Sequence, residues 1–481
     1  MIDLPAMAVS LPLLGALAAV VVPSRGGLFG LVAGALTTGV GLALAARVWL
    51  EGAVRSELGG WGAPLGIVLR ADGLSAAFLA MAALVALAIT VYAGRYFGGS
   101  ERRRHFWPLW LLLWAALNGL FLAADLFNLY VMLELLGLAA AALGALAGTQ
   151  EALAANLRYL LVGLLGSMTY LLGVALIYTA YGVLDLGLVA ELISPGPVAA
   201  SAFALMTGGL LLKAALFPLH FWLPPAHANA PAPVSAALSA LVVKAAFYLV
   251  LRLWLEVFAP VLGPAVVVPL GLLGAGAVLW GSWRALRAER LKLLAAYSTV
   301  AQIGYLFIFF PLLAAIPAGA GREELLAAAV LFALTHGFAK AGLFLAAGAV
   351  QGAAGHDRIA ELGATAQALP AATLAMALAG VALIGLPPSG SFTAKWILLE
   401  RALSLGQWWW IPVVVVGTLL AAAYIFRFLG RAFRPEAAPQ RFVTEPRAEL
   451  PALALGLIAV FVLGLAALPL WDLIGISEAA R

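Results

Sequence analysis

Fourteen apolar stretches follow one another along this 481-residue chain, at about 5–22, 27–47, 73–94, 106–122, 126–146, 158–181, 199–222, 233–256, 263–283, 291–312, 325–350, 370–400, 407–430 and 450–470. A helix crosses a bilayer with roughly 20 mostly apolar residues, so each stretch predicts one transmembrane span. The connections are about 25 residues or shorter, which leaves no room for a soluble domain. The expected class is therefore an all-α polytopic membrane protein of about 14 helices. Asp3 and the lack of a basic residue before the first span argue for a retained helix instead of a cleaved signal peptide. With no cysteine, the chain has no disulfide, thiolate nucleophile, cysteine-held zinc or iron–sulfur cluster, and any redox chemistry must belong to partners.

The net charge of +5 comes from basic residues that flank the spans, as in Arg102-Arg103-Arg104. Topology explains them better than nucleic-acid binding does. Connections near 23–26, 95–105, 148–158, 223–232, 284–292, 351–369 and 431–449, with Arg427, hold 16 Lys and Arg, and the opposite side holds seven. The positive-inside rule then places both termini away from the cytoplasm.

Two spans are too interrupted for simple helices. The seventh runs into KAALFPLHFWLPPAHANAPAPVS, with Pro218, Pro224, Pro225, Pro231 and Pro233; the twelfth contains GLPPSGSFTAK, with Pro387 and Pro388. Irregular backbone at membrane depth is tolerated only where it is buried in protein or lines a hydrated cavity. If spans 4–8 and 9–13 are repeats, each unit has five helices, and an odd number inverts the second copy. The breaks then fall on the fourth helix of each unit, a pointer to ion or substrate sites in transporter folds. The expected division is 1–105 for spans 1–3, 106–260 for the first repeat, 261–430 for the second, and 431–481 for the last connection and span 14.

Of 27 basic residues only five are lysine, and four of these, Lys213, Lys244, Lys340 and Lys395, lie inside apolar stretches, with Glu134 near the middle of span 5. A charged side chain at that depth costs about 2.5–3.5 kcal/mol on insertion scales. Structural ion pairing is the plainest explanation for any one of them, but three lysines on spans 7, 8 and 11 cannot pair off with a single carboxylate. Arginine, which this chain otherwise prefers, keeps its proton; buried lysine can release one near neutral pH. The set therefore points to proton transfer, with Glu134 as the group that moves toward or away from a lysine.

His336 and Lys340 share a helix face at i, i+4. His220 follows Lys213 by seven residues and His227 sits in the broken segment. These histidines can relay protons or simply pack as satisfied polar groups; axial haem ligation fits poorly across Pro224 and Pro225. Lys395 either faces the interior beside its break or snorkels to the interface near Glu400. In span 10, Tyr297, Ser298, Thr299 and Gln302 either hold water between ionisable groups or make interhelical hydrogen bonds. No cofactor or metal site is expected, because deep oxygen charge is limited to Glu134, with Asp125 near a helix start, and hard cations want several oxygen ligands.

The stretch KAALFPLHFWLPPAHANAPAPVSAALSALVVKAAFYLVLR (213–252), with LKLLAAYSTVAQIGY (291–305), HGFAKAGLFL (336–345), GLPPSGSFTAKWILL (385–399) and FNLYVMLELLGL (127–138), resembles the antiporter-like membrane subunits shared by respiratory complex I, Mrp-type cation/proton antiporters and membrane-bound hydrogenases. The resemblance implies a fourteen-helix fold with inverted five-helix repeats and a proton path at the bilayer midplane. It makes Glu134 and Lys213 the paired ions of spans 5 and 7, Lys244 the connecting lysine of span 8, and Lys395 the ion of span 12. His220, His227, His336 and Lys340 fall at further motif positions. Pro225 departs from it, because many relatives have an acidic residue there.

Lysine at 395 and the absence of a long lateral helix resemble the D-type chain of Mrp antiporters or the N-type chain of complex I, with FPLHFWLPPAHANAPAPVSA favouring the former. The implied function is proton translocation within a multisubunit complex of a prokaryotic inner membrane, with no catalysis by this chain alone. Other membrane subunits and the lipid bilayer would be its partners, and any sodium would be handled elsewhere. A proton-pumping N- or M-like chain, a solitary solute transporter and a non-conducting scaffold are the alternatives.

Overall fold

The structure, a computed structural model, describes residues 3–317, 319–435, 442–443 and 449–477. Both extreme termini, and most of the 431–449 connection used in the topology argument, lie outside the described residues. Among the described residues, twelve helices are long and apolar enough to cross a membrane: Leu4–Val21, Pro23–Glu51, Gly73–Tyr96, Arg103–Leu122, Leu126–Ala145, Gln150–Tyr181, Pro197–Asn229, Ala232–Phe258, Pro264–Arg287, Leu291–Ala315, Gly321–Ala354 and Trp410–Ala432. The bent pair Leu450–Leu465 and Leu468–Gly475 turns by 76° and makes a thirteenth. Pro370–Ile384 and Gly390–Ser404 are two half-helices that together occupy the place of the twelfth span. Numbered in order with that pair as span 12, these are spans 1–14, in register with the fourteen apolar stretches. The chain is an all-helical polytopic integral membrane protein.

The apolar middles of spans 8 and 11 are wholly buried inside the protein, whereas in spans 1, 2, 6 and 13 fewer than half of the corresponding residues are buried. Groups carried by spans 8 and 11 therefore meet protein on every side. Close approach of neighbouring helices depends on small residues: a Cβ on Gly209 of span 7 would sit 2.2 Å from the Gly166 carbonyl oxygen of span 6. That contact brings Gly166 against the Lys213 stem.

Spans 7 and 12 break in the same way. The first half of span 7 ends at Ala214, where Ala215 turns left-handed (φ 53°), and the first half of span 12 ends at Ile384, where Gly385 does the same (φ 82°). A carbonyl freed by the first break is satisfied by Trp222, whose indole N–H donates to Leu212 O at 2.9 Å. After the second, Ser389 caps the new helix by accepting the Phe392 N–H.

Span 8 contains a π-helical turn at Leu238–Val242, where the Val243 N–H reaches back to Leu238 O. Such turns insert one residue and favour functional positions.

Sequence analysis did not foresee a short antiparallel hairpin, Val54–Glu57 with Val68–Ala71, or the small helix Leu186–Leu192. The hairpin leads into a buried ionic cluster. Arg252, at the end of span 8, grips Asp72 with two guanidinium nitrogens at 2.7 and 3.0 Å. It also pairs with Glu256, which takes Arg70 as a second partner. Arg252 is 1% exposed, so buried cations in this chain are not all lysine. This arginine is matched by carboxylates, and the deep lysines largely are not. Burial alone would raise the Asp72 carboxyl, but the Arg252 guanidinium, with help from Arg70 and the Ser75 N–H, reverses this and holds it well below the usual carboxylate range.

Candidate functional site

The first pair lies where spans 5, 6 and 7 meet. Lys213 Nζ donates to Glu134 Oε1 at 3.4 Å and to the Leu133 carbonyl at 3.3 Å. Lys213 is in the last turn before the break, where the helix dipole favours a cation. The two side chains line a small cavity with Tyr159 and Gly163, and Glu134 keeps 17% exposure.

Inward from the pair, Tyr159 stacks on Trp222 at 4.5 Å, and Trp222 meets His227 edge-on at 6.4 Å. His227 is fully buried, and neither ring nitrogen has a protein partner. Buried polar nitrogens left unpaired by protein are normally satisfied by water. His220 instead stacks on Phe217 at the break, at 5.5 Å.

The centre of the site is a linked set on spans 8, 10 and 11. Lys244 donates to the Ser239 carbonyl, five residues back across the π-turn. The Ser239 hydroxyl meets Thr299 Oγ1 at 2.8 Å. Thr299 and Ser298 both donate to the Ala295 carbonyl, and Lys340 donates to that same carbonyl and to Ser298 Oγ, the latter at 2.7 Å. Lys244 and Lys340 are thus joined by two side-chain hydroxyls and backbone, with no carboxylate among their hydrogen-bond partners. His336, one turn before Lys340, is 1% exposed with both ring nitrogens unpaired by protein.

Span 10 continues the row. Ser298, Gln302 and Tyr305 fall at i, i+4 and i+7 on one helix face. Gln302 donates to Leu383 O beside the second break, at 2.8 Å. Lys395 lies over the Tyr305 ring at 4.2 Å and donates to Ile384 O and Thr418 Oγ1, both at 3.0 Å. At 5% exposure it faces the interior, so it does not snorkel. Its cavity, about 210 Å³, is walled by Phe392, Trp396 and Val415.

The polar residues of span 10 separate by face. Ser298, Thr299 and Gln302 join the row, whereas Tyr297 turns to the rim and accepts from Arg284 at 3.0 Å. Pro218, Pro387 and Pro388 lie in the turns that break spans 7 and 12. Among the described residues no group of three His, Cys, Asp or Glu is placed to hold a metal.

Sequence reasoning misplaces a lysine beside this row. Lys292 stands second in span 10 and reads as part of the rim, yet it is 2% exposed and donates to Ala230 O in the connection after His227. Arg290 holds the same connection through Asn229 Oδ1 (3.0 Å) and Ala228 O (3.3 Å), and Asp357 accepts from Arg290 at 2.9 Å. The available signal was AHANA, a polar connection rich in small residues that approaching side chains can cover.

Comparison with known proteins adds a consistent picture. Residues 123–421 match the family described as NADH:quinone oxidoreductase/Mrp antiporter, TM. The chain is 37% identical over 465 residues to the N chain of the NADH-quinone oxidoreductase of Desulforudis audaxviator, covering 91% of each chain. It is 30% identical over 368 residues to the D chain of the Na(+)/H(+) antiporter of Alkalihalophilus pseudofirmus, covering 76% of this chain and 72% of that one. Its fold superposes on a chain of the Mrp complex from Dietzia sp. DQ12-45-1b with a TM-score of 0.90 and 27% identity, covering 100% of this chain and 97% of that one.

Proposed function

The chain belongs to the NADH:quinone oxidoreductase/Mrp antiporter transmembrane family, and from that premise we propose that it is a proton-translocating subunit of a multisubunit membrane complex. The carrying observation is a row, in three groups, of ionisable side chains inside the apolar bundle: the Glu134–Lys213 pair, Lys244 and Lys340 joined through Ser239, Thr299, Ser298 and the Ala295 carbonyl, and Lys395 beyond them. Protons pass along this row in either direction, with His227 and His336 holding water beside it and Lys292 linking His227 to the basic rim. Separation of Glu134 from Lys213 lowers the lysine's affinity for its proton, because the opposite charge that favours the ammonium form is withdrawn.

Other membrane subunits are its partners, and protons are its cargo. Two settings fit: an Mrp-type cation/proton antiporter, in which this chain is D-like, and a quinone oxidoreductase, in which it is N-like. Identity over 91% of the chain favours the second, and the superposition on the Mrp chain favours the first. The proteins that co-purify with the tagged chain distinguish them. We further place the chain in a prokaryotic inner membrane with its Arg-rich face toward the cytoplasm and both termini away from it. Spans 1–3 (1–105), two inverted repeats (106–260 and 261–430) and a final segment (431–481) are its structural units.

The deciding experiment replaces Lys213 or Glu134 by alanine and measures proton-coupled transport in vesicles that contain the assembled complex. Loss of coupling in both variants is expected. Full coupling in both, with normal assembly, would remove the row from the mechanism.

A further inference from the structure

On the Arg-rich face, the end of span 13 stands away from the connection between spans 9 and 10 and from that between spans 11 and 12, leaving a groove of about 940 Å³. Its walls carry Arg290, Arg358, Arg427, Arg431 and Arg434 against two carboxylates, Glu289 and Glu361. Two of the arginines have acidic partners on their own side: Arg290 with Asp357 at 2.9 Å, and Arg358 with Glu361 at 3.3 Å. Arg427 donates only to a neutral group, the Ala288 carbonyl. Arg434 is exposed, and among the described residues no carboxylate pairs with it or with Arg427. Among the described residues, Arg427 and Arg434 therefore leave the groove with unmatched positive charge.

The groove does not end in water on every side. Phe426 belongs to its lining and is 60% exposed, and Leu419, two turns deeper on span 13, is 65% exposed. With Val415 and Val416 they form an outward apolar strip that runs from the arginines toward the hydrocarbon. An occupant that satisfies both parts must present anionic oxygens at the rim and hydrocarbon immediately beside it. Guanidinium groups bind phosphate oxygens in a two-pronged geometry, and basic pockets between helices on the inner face suit anionic head groups.

We propose that this groove is a binding site for an anionic phospholipid, with Arg427 and Arg434 holding the phosphate and the Phe426–Leu419 strip holding an acyl chain. A soluble phosphate compound or a purely acidic protein segment would satisfy the arginines but leave the apolar strip uncovered.

The test uses the purified complex in phosphatidylcholine nanodiscs, with and without phosphatidylglycerol, and counts retained lipid by native mass spectrometry. Selective retention of phosphatidylglycerol is expected, weakened about tenfold in Arg427→Gln/Arg434→Gln, with each charge-assisted contact contributing to the loss. The double variant Arg103→Gln/Arg104→Gln, which removes the same charge from exposed positions on the same face, should retain lipid as the parent does. If the double variant at the groove does not assemble, Arg434→Gln alone, at an exposed position, should still weaken retention. Equal retention of the two lipids, unchanged retention in the groove variants, displacement of the lipid by inorganic phosphate, or a partner protein cross-linking into the groove would each overturn the proposal. None of these outcomes depends on whether the chain moves protons.

Discussion

The hydroxyls of Ser239 on span 8 and Thr299 on span 10 lie 2.8 Å apart, and through them the two fully buried lysines of the interior, Lys244 and Lys340, are connected. A hydroxyl both donates and accepts, so a chain of hydroxyls can pass a proton without carrying a lasting charge. This contact joins spans 4–8 to spans 9–13 at their polar centres.

Removing it should slow transport without unfolding the protein. Ser239→Ala with Thr299→Val replaces two hydroxyls by apolar groups of similar size, which costs little stability when both partners go together. Proton-coupled transport in vesicles should fall about tenfold, equivalent to ~1.4 kcal/mol on the barrier. An unchanged rate would show that protons reach Lys340 by another route.

Lys213→Arg separates charge from proton exchange. Arginine keeps the attraction to Glu134 and the favourable place at the helix C-terminus, but it does not release its proton at accessible pH. The variant should assemble to normal levels, yet lose nearly all proton-coupled transport. Transport at half the parental rate or better would mean that Lys213 serves as a fixed charge.

The Asp72–Arg252 pair makes a stability prediction. Asp72→Asn leaves a buried guanidinium short of its carboxylate, an imbalance that typically costs about 3–5 kcal/mol. The melting temperature of the solubilised complex should drop by several degrees, and Asp72→Asn/Arg252→Met should recover part of the loss. The pH dependence has a definite sign. The folded Asp72 carboxyl is held below its unfolded value, so its contribution is complete above about pH 5 and is lost progressively as pH falls from there toward the lower folded value. Stability of the parent attributable to this pair should therefore be flat between neutral pH and about pH 5, and a loss beginning near neutrality would contradict the assignment.

Much of this architecture was legible because the bilayer imposes length and polarity rules on each segment separately. The fourteen apolar stretches became helices, and the prolines at 218, 387 and 388 marked turns between half-helices. Charges deep in apolar sequence were legible for the same reason: Lys213, Lys244, Lys340 and Lys395 stand inside apolar stretches, and the structure buries all four. What one dimension hides is depth created by packing. Lys292 stands beside Arg290 in sequence and reads as rim, but the 228–231 connection folds over it. Arg252 likewise reads as rim until the hairpin brings Arg70 and Asp72 beside it. Periodicity also predicts an ordinary helix through 238–242, because a π-turn alters hydrogen bonding without altering composition.

That extra residue sets the angular position of Lys244. A regular helix advances about 100° per residue, so if Leu238–Val242 closed into ordinary α-helix with no residue removed, the lysine would point about a quarter-turn further round from Ser239. Such a closure would leave the protein looking intact to any measure of helix content or membrane insertion, while its interior wiring had gone out of phase.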